Sequence, residues 1–280
     1  MSRTSGKGRL FIVATPLGNL GDITFRAIDV LKNVDKVLAE DTRSAKKLFH
    51  ALKIPLPSIE SFFDQNEKQK LSLVKAWLKN GLDIALISEA GTPLISDPGF
   101  LLIKKLREDG FPIIPIPGPS APITALIVSG FPPLPHTFLG FLPRKAGEIR
   151  KIFANFMTLP CTLIFFERKN RVLRTLKIAY EVLGKREFCL ARELTKIHEE
   201  VIYGRLDDIN LDESCLRGEI TVLIAPPTDF KTSLDKVKEK IYFFKESNLK
   251  AKDIIKIMQQ EVIGWSNKEL YELIISELKH

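Results

Sequence analysis

The sequence predicts an α/β protein made of two α/β domains followed by a C-terminal helical extension. Three observations lead to this fold class. Short apolar segments alternate with amphipathic segments of helical length in the first part of the chain, which is typical of a parallel sheet covered by helices. The alternation returns over 161–225, and from about Thr232 only helical patterns remain. The length of 280 residues suits one large or two modest domains.

The first domain contains the clearest alternation of strands and helices. Strands are predicted at 9–14, 35–40, 82–87 and the start of 111–122. Helices are predicted from about 22, then over 44–52, 67–81 and 100–109, with one more after 121. Asp22 is predicted to cap the first helix, whose apolar face includes Phe25 and Ile28. Gly81 and Gly110 can adopt the left-handed conformation that ends a helix.

The second domain and the tail follow a proline-rich stretch, 131–145, which predicts an irregular connection between the domains. Its strands are predicted at 161–167, 187–193, near 198–204 and at 219–225. Three helices are predicted in the tail, and Ser266 with Glu269 three residues later has the pattern of a capping box. The expected domains are 1–120, 121–228 and 229–280.

Charge and cysteine content limit the classes of function. Lysine and arginine number 42 against 34 acidic residues, which gives a net charge of +8. A basic surface favours a polyanion such as nucleic acid, although a basic globular protein without such a partner fits the charge equally well. The three cysteines, Cys161, Cys189 and Cys215, are widely spaced and form neither a disulfide framework nor a zinc spacing, so a reducing compartment is expected.

Membrane and metal functions are not expected. The apolar stretch near the start, Leu10 to Ala14, is too short for a signal peptide, and no run approaches the length of a transmembrane helix. The four histidines are scattered without metal-ligand spacing. We therefore expect a cytoplasmic protein with no resident metal.

Four loops rich in glycine, proline and small polar residues follow predicted strands, at 15–22, 40–44, 88–99 and 117–121. Because the carboxyl ends of parallel strands meet at one edge of a sheet, the loops are expected to converge on one crevice. None has the glycine spacing of a dinucleotide or Walker phosphate loop. Glycine lets main-chain groups approach a ligand closely, and S-adenosylmethionine, which has no phosphate, suits such a site. Each loop alone is better explained as a tight turn, but four together on neighbouring strands favour a site.

Five ordered motifs carry a more specific resemblance. They are ATPLGNLGDIT, AEDTR, SEAGTPLISDPG, PIPGPSA and RELTKIHEE. In this order and spacing they resemble the ribosomal RNA small subunit methyltransferase I family, of the tetrapyrrole methylase-like superfamily, over nearly the whole chain. The resemblance implies two α/β domains with S-adenosylmethionine in the cleft between them, in a homodimer. It also implies methyl transfer to the 2′-oxygen of a cytidine in 16S rRNA, near the decoding region of the 30S subunit.

The resemblance also implies which residues contact the cofactor. By motif position they are Leu17, Gly91, Thr92, Ile95, Ser120, Ala121, Phe166, Gly218 and Glu219. One stretch departs from the family pattern: after Glu167 the family tends to have a small residue and then Pro-His-Arg, whereas this chain has Arg-Lys-Asn-Arg at 168–171. The missing proline puts the shape of that loop in doubt, while the cofactor assignment is unaffected.

A ribose hydroxyl is a weak acid, so a base or an alkoxide-stabilising charge would help the reaction. We expect a carboxylate of Asp41 or Glu89 near the 2′-hydroxyl and Arg43 on an RNA phosphate. Other polar candidates at strand ends are Glu40, Arg192, Glu193 and Lys196. A structural role competes for each one, for example an Asp41–Arg43 ion pair or loop capping by Glu89.

The tail lysines are a second candidate RNA surface: Lys236, Lys238, Lys240, Lys245, Lys250, Lys252 and Lys256. A solvated helix face explains them about as well. Two other functions stay open at this level, because function does not follow from fold. One is methylation of a tetrapyrrole or another small molecule. The other is a non-catalytic RNA-binding module, against which the cofactor-type loops argue.

Overall fold

The computed structural model describes residues 6–211, 218–228, 232, 234–244, 247, 249–262 and 264–278. Its strands are β1 (Leu10–Val13), β2 (Lys36–Ala39), β3 (Ser58–Ser61), β4 (Ile84–Ile87), β5 (Ile113–Ile116), β6 (His136–Phe141), β7 (Thr162–Arg168), β8 (Glu187–Arg192), β9 (Glu200–Arg205) and β10 (Glu219–Ile224). Its helices are α1 (Phe25–Asn33), α2 (Thr42–Ala51), α3 (Glu67–Lys79), α4 (Phe100–Glu108), α5 (Ala121–Val128), α6 (Ala146–Ala154), α7 (Lys169–Leu183), α8 (Leu234–Tyr242), α9 (Ala251–Glu261) and α10 (Asn267–Leu278).

The first sheet is parallel throughout and has the strand order β3-β2-β4-β1-β5. Helices cover both of its faces, so successive residues of one strand enter different apolar clusters. On β1, Leu10 packs with α3 and α4, whereas Phe11 packs with α1 and α2. Parallel strands buried on both faces read as continuous apolar runs, and this is why β1, β2 and β4 could be predicted from the sequence.

Three details of the first domain differ from the prediction. Strand β3 was not predicted, because Ser58–Ser61 is short, half polar and lies at the edge of the sheet. The cap of α1 is Thr24, whose Oγ1 accepts a hydrogen bond from the Ala27 N–H at 3.1 Å, and Asp22 lies in a short 3-10 turn before it. Phe25 points to solvent with 89% of its surface exposed.

The second sheet has the order β6-β7-β10-β8-β9 and is mixed. Strands β6 and β7 are parallel, and the other neighbours are antiparallel. Helices α6 and α7 cover one face, and α5 packs on the other against β7 and β10. Strand β6 lies inside 131–145, which the sequence predicted to be irregular. Its prolines stand outside the strand, where they remove no hydrogen bond from the sheet.

The three tail helices form a unit with a core of its own. That core consists of Val237, Ile241, Ile254, Met258, Val262, Leu270 and Ile274. The predicted capping box of α10 is confirmed: the Ser266 N–H donates to the Glu269 carboxylate at 2.8 Å, and the Glu269 N–H donates to Ser266 Oγ at 3.2 Å. We propose that the domain boundaries lie after residues 120 and 228, as the sequence predicted. Helix α5 packs on the second sheet, and α8, α9 and α10 pack on one another.

Two negative findings concern the described residues. None of the helices there combines the length and apolar character needed to cross a membrane. No group of three or more His, Cys, Asp or Glu residues among them is arranged to hold a metal ion. Cys161 and Cys189 are buried thiols, and Cys215 lies outside the described residues.

Candidate active site

A cavity of about 640 Å³, which we call the main cavity, lies between the two sheets. The first domain lines it with Leu17, Glu40, Ser44, Lys47, Glu89, Ala90, Gly91, Thr92, Ile95, Ser96, Asp97 and Ser120. Residues from α5 onward line the rest: Ala121, Pro122, Phe141, Phe166, Ala191, Glu193, Leu194, Lys196, Gly218, Glu219 and Thr221. The four predicted loops therefore meet at one edge of the first sheet, and the second sheet closes the opposite side.

Hydrogen bonds join the loops to one another through the loop at 88–99. Thr15 and Gly91 exchange two main-chain hydrogen bonds, with N–O distances of 2.8 and 3.0 Å. The Thr92 hydroxyl donates to the carbonyl of Pro119 at 2.9 Å. The Ser44 hydroxyl donates to the Glu89 carboxylate at 3.3 Å. Each of the other three loops is thus hydrogen-bonded to this central loop, which fixes the floor of the cavity.

Two glycines allow the main chain to approach this closely. A Cβ atom on Gly91, where φ is +81°, would lie 3.0 Å from Cδ2 of Leu17. A Cβ atom on Gly118 would lie 2.9 Å from the Cβ of Ala14. Gly91 is therefore favoured by its left-handed backbone conformation and Gly118 by the lack of space for a side chain.

The second-domain wall combines an aromatic cluster with a charged loop. The Phe166 ring lies between Phe138 and Phe141, with centroid distances of 5.0 and 5.2 Å. Across the cavity mouth, the stem of Lys196 covers Gly18, because a Cβ on that glycine would lie 2.2 Å from Lys196 Cγ. Lys196 Nζ also pairs with Glu193 at 3.0 Å. The two domains therefore touch beside the first loop.

Strained backbone is concentrated around this cavity. Among the described residues, five non-glycine residues have positive φ, and four of them lie in the loops that border the cavity: Leu94, Ser96, Glu193 and Thr195. Such conformations cost about 1–3 kcal/mol each and persist only where surrounding contacts enforce them. Their concentration here is the pattern of a functional site.

The cavity is acidic although the chain is basic. Five carboxylates line it, from Glu40, Glu89, Asp97, Glu193 and Glu219, against two ammonium groups. Burial, and then repulsion from Glu40, Glu219 and Glu89, raises the pKa of Asp97 to about 6. Burial and the neighbouring Glu89 also raise the pKa of Glu40. Negative charge gathered in this way favours a cation in the cavity.

The structure brings most of the predicted site residues together. All nine predicted cofactor contacts line the cavity, and so does Glu89. Asp41 and Arg43 are not among the lining residues. Asp41 caps α2, where its carboxylate accepts hydrogen bonds from the N–H groups of Arg43 and Ser44, and these bonds lower its pKa. The Arg43 side chain is 87% exposed and lies 3.6 Å from that carboxylate.

Sequence reasoning missed several lining residues. Asp97 belongs to the SDPG end of the central loop. Because a proline and a glycine follow it, its sequence context indicates a turn and not a cavity residue. Ser44 and Lys47 lie on the first turns of α2 and follow the AEDTR motif, which was the signal available. Phe141 was missed because β6 was not predicted.

Comparison with known proteins identifies the family of this chain. The family model of tetrapyrrole (corrin/porphyrin) methylases matches residues 9–210. The ribosomal RNA small subunit methyltransferase I of Rickettsia prowazekii is 41% identical over 274 residues, which cover 96% of this chain and 96% of that protein. The chain belongs to the ribosomal RNA small subunit methyltransferase I family. The Bacillus subtilis member of this methyltransferase I family is 43% identical over 222 residues, covering 79% of this chain and 76% of its own length.

Solved structures of methyltransferases share the fold of this methyltransferase I family member. The methyltransferase CobJ covers 81% of this chain and 97% of its own, with a TM-score of 0.62 and 15% identity. Uroporphyrin-III C-methyltransferase from Thermus thermophilus, in complex with S-adenyl homocysteine, covers 78% and 97%, with a TM-score of 0.56 and 17% identity. The predicted tetrapyrrole methylase-like fold, two α/β domains with a C-terminal helical extension, is thereby confirmed.

Proposed function

We propose that the chain transfers a methyl group from S-adenosylmethionine to RNA of the small ribosomal subunit, and that the acceptor is the 2′-oxygen of a cytidine in the decoding region of 16S rRNA. The observation that carries the proposal is near full-length similarity to ribosomal RNA small subunit methyltransferase I, together with a loop-built acidic cavity at the predicted position.

The cavity residues fit the cofactor. Gly91 lines the cavity without a side chain, so a flat adenine ring can approach the main chain closely there. Apolar side chains of Leu17, Ile95 and Phe166 offer contact area, and the surrounding carboxylates favour a sulfonium and an ammonium group. When bound, S-adenosylmethionine supplies an electrophilic methyl group. The protein's part is to hold donor and acceptor in line and to exclude water.

Two carboxylates are the proposed proton acceptors for the ribose hydroxyl. Glu89 faces the cavity and is oriented by the Ser44 hydroxyl. Asp97 has a pKa of about 6, so near pH 7 it is mostly ionised and still basic enough to accept a proton. Asp41 remains a predicted candidate, although its Oδ1 accepts both hydrogen bonds of the α2 cap. Most of the Arg43 side chain is exposed, so its guanidinium can contact an RNA phosphate while it also pairs with Asp41 at 3.6 Å.

We also propose a homodimer. Helix α5 exposes Ile123, Ile127 and Val128, with 46%, 74% and 42% of their surfaces accessible. Leu134 nearby in the chain is 79% exposed. Apolar residues clustered in this way typically mark a protein–protein contact. Light scattering at increasing concentration tests this, and a monomer at all concentrations overturns it. The cytoplasmic location stays a prediction.

The function is tested by incubating the protein with labelled S-adenosylmethionine and 30S subunits and mapping the label by mass spectrometry. We expect one methyl group on a cytidine 2′-oxygen of 16S rRNA. Naked 16S rRNA in a parallel reaction shows which form is the substrate. Label in a tetrapyrrole and none in RNA would overturn the proposal in favour of the small-molecule alternative.

A further inference from the structure

A second hollow, of about 360 Å³, adjoins the main cavity and is lined by Phe141, Leu142, Pro143, Arg144, Arg168, Asn170 and Arg171. We call it the arginine hollow. Phe141, at the end of β6, lines both spaces, and its ring packs on Phe166 of the main cavity. The two spaces therefore share one aromatic wall.

The arginine hollow has the opposite charge to the main cavity. Among the residues that the structure describes, three guanidinium groups line it and no carboxylate does. The first residues of α7, a helix of 15 residues, also lie there, and the N-terminus of a helix carries positive partial charge. A cationic cofactor is favoured in the main cavity and disfavoured here, so the hollow suits an anionic part of a different ligand.

The three arginines of the hollow divide into one structural residue and two exposed residues. Arg171 is a structural group: it donates to the carbonyls of Leu142 and Pro143 at 3.1 and 2.5 Å and pairs with the buried Glu167 at 3.2 Å. It thereby fixes the loop that forms one side of the hollow. In the part of the chain that the structure describes, the side chains of Arg144 and Arg168 are exposed and make no hydrogen bond or ion pair. Their donor groups are available to a ligand.

Resting on the proposed function, we propose that the arginine hollow binds a phosphodiester of the substrate RNA next to the nucleotide that enters the main cavity. A guanidinium presents paired N–H donors that match two phosphate oxygens. A ribose placed at the main cavity has a phosphate on each side, and the arginine hollow adjoins that cavity across Phe141. Arg144 and Arg168 are the binding residues of this subsite.

The test measures binding of wild type, Arg144→Ala, Arg168→Ala and the double variant to 30S subunits and to a short single-stranded RNA, at several salt concentrations. The double variant should bind RNA roughly tenfold more weakly, and its plot of log K against log salt should be shallower by about 1.4, since a contact to single-stranded RNA contributes about 0.7. Affinity for S-adenosylmethionine should not change.

Arg107→Ala is the matched control. Arg107 is an exposed arginine in the last turn of α4, near the amino ends of the parallel strands and therefore away from the cavity at their carboxyl ends. It makes no described side-chain hydrogen bond or ion pair. It should leave RNA affinity and salt slope unchanged. Thermal denaturation of each variant shows whether its fold is intact.

Three outcomes would overturn the subsite. The double variant could match wild type in RNA affinity and slope, it could lose cofactor affinity while keeping RNA affinity, or wild type could bind no RNA. The first, combined with normal methylation of 30S subunits by wild type, leaves the proposed function standing. Conversely, arginine-dependent RNA binding without methylation of RNA would support the subsite and contradict the proposed function.

Discussion

Thr15 and Gly91 exchange two main-chain hydrogen bonds, which join the loop after β1 to the loop after β4. The strands β1 and β4 are neighbours in the parallel sheet, so their carboxyl ends lie side by side. The hydroxyls of Thr92 and Ser44 extend the connection to the loops after β5 and β2. The cavity floor is therefore one hydrogen-bonded unit, and changes at Gly91 should affect it directly.

Gly91→Ala should weaken S-adenosylmethionine binding more than it destabilises the fold. The left-handed conformation costs an alanine about 1 kcal/mol, and the new Cβ would press on Leu17 at 3.0 Å. Gly110→Ala is the matched control, since Gly110 has a φ of +69° but no atom within 4 Å of its added Cβ. We expect both variants to lose some thermal stability, Gly91→Ala the more because of the Leu17 contact, and we expect a loss of cofactor affinity in Gly91→Ala alone. Equal cofactor affinities would contradict the role of this turn.

Cofactor affinity should increase as the pH rises through about 6. Below that value Asp97 is protonated and no longer attracts a cation; above it the carboxylate is charged. Calorimetric titrations between pH 5 and 8 measure this dependence, which Asp97→Asn should largely remove. Asp29→Asn, an exposed change on α1, should keep it. A wild-type affinity that is flat across this range would contradict the assignment.

The raised pKa of Asp97 also predicts that this residue destabilises the fold at neutral pH. Its pKa is higher in the folded chain, about 6, than its ordinary value of 3.8, so between these values the folded chain holds a proton that the unfolded chain has released. Its contribution to the free energy of unfolding therefore falls as the pH rises through this window and stays low above it. Asp97→Asn should stabilise the fold at pH 7.5 by on the order of 1 kcal/mol, after allowing for solvent screening. Urea denaturation at pH 7.5 and pH 4 measures the difference, which should vanish at pH 4.

Arg171→Ala should destabilise the second domain by about 3 kcal/mol, because Glu167 is fully buried and loses its ion-pair partner. Only the Thr175 hydroxyl, at 2.8 Å, and the Arg168 N–H, at 2.9 Å, remain as described partners of that carboxylate. Adding Glu167→Gln should recover part of the loss, since it removes the unpaired charge. Arg174→Ala, at an exposed position on the same helix, is the control. Denaturation curves of Arg171→Ala and Arg174→Ala that coincide would show that the pair is unimportant.

Removal of residues 229–280 should weaken RNA binding and preserve cofactor binding. The tail helices pack around their own core, and none of their described residues lines the main cavity. Among the described tail lysines, Lys238 and Lys240 are paired with Glu277 and Glu261, whereas Lys236, Lys250, Lys252 and Lys256 have no described partner. Filter binding at low and moderate salt measures RNA affinity. An unchanged affinity at both would remove the tail from RNA recognition.

The first sheet and its loops could be predicted because β1, β2 and β4 are short, largely apolar runs, each followed by a loop of glycine, proline or polar residues. The strands that escaped prediction, β3 and β6, are a short polar edge strand and a strand enclosed by prolines. The roles of Asp97 and of the arginine hollow could not be predicted either. The charge around these residues depends on which side chains the fold brings beside them. Those neighbours are distant in sequence, so the sequence alone does not identify them.

The most direct test of the account is a calorimetric titration of the folded wild-type protein with S-adenosylmethionine. The account predicts binding of one molecule per chain, competed by S-adenosylhomocysteine and weakened by Gly91→Ala but not by Gly110→Ala. Absence of any heat of association across several temperatures, on protein shown to be folded by circular dichroism, would contradict it.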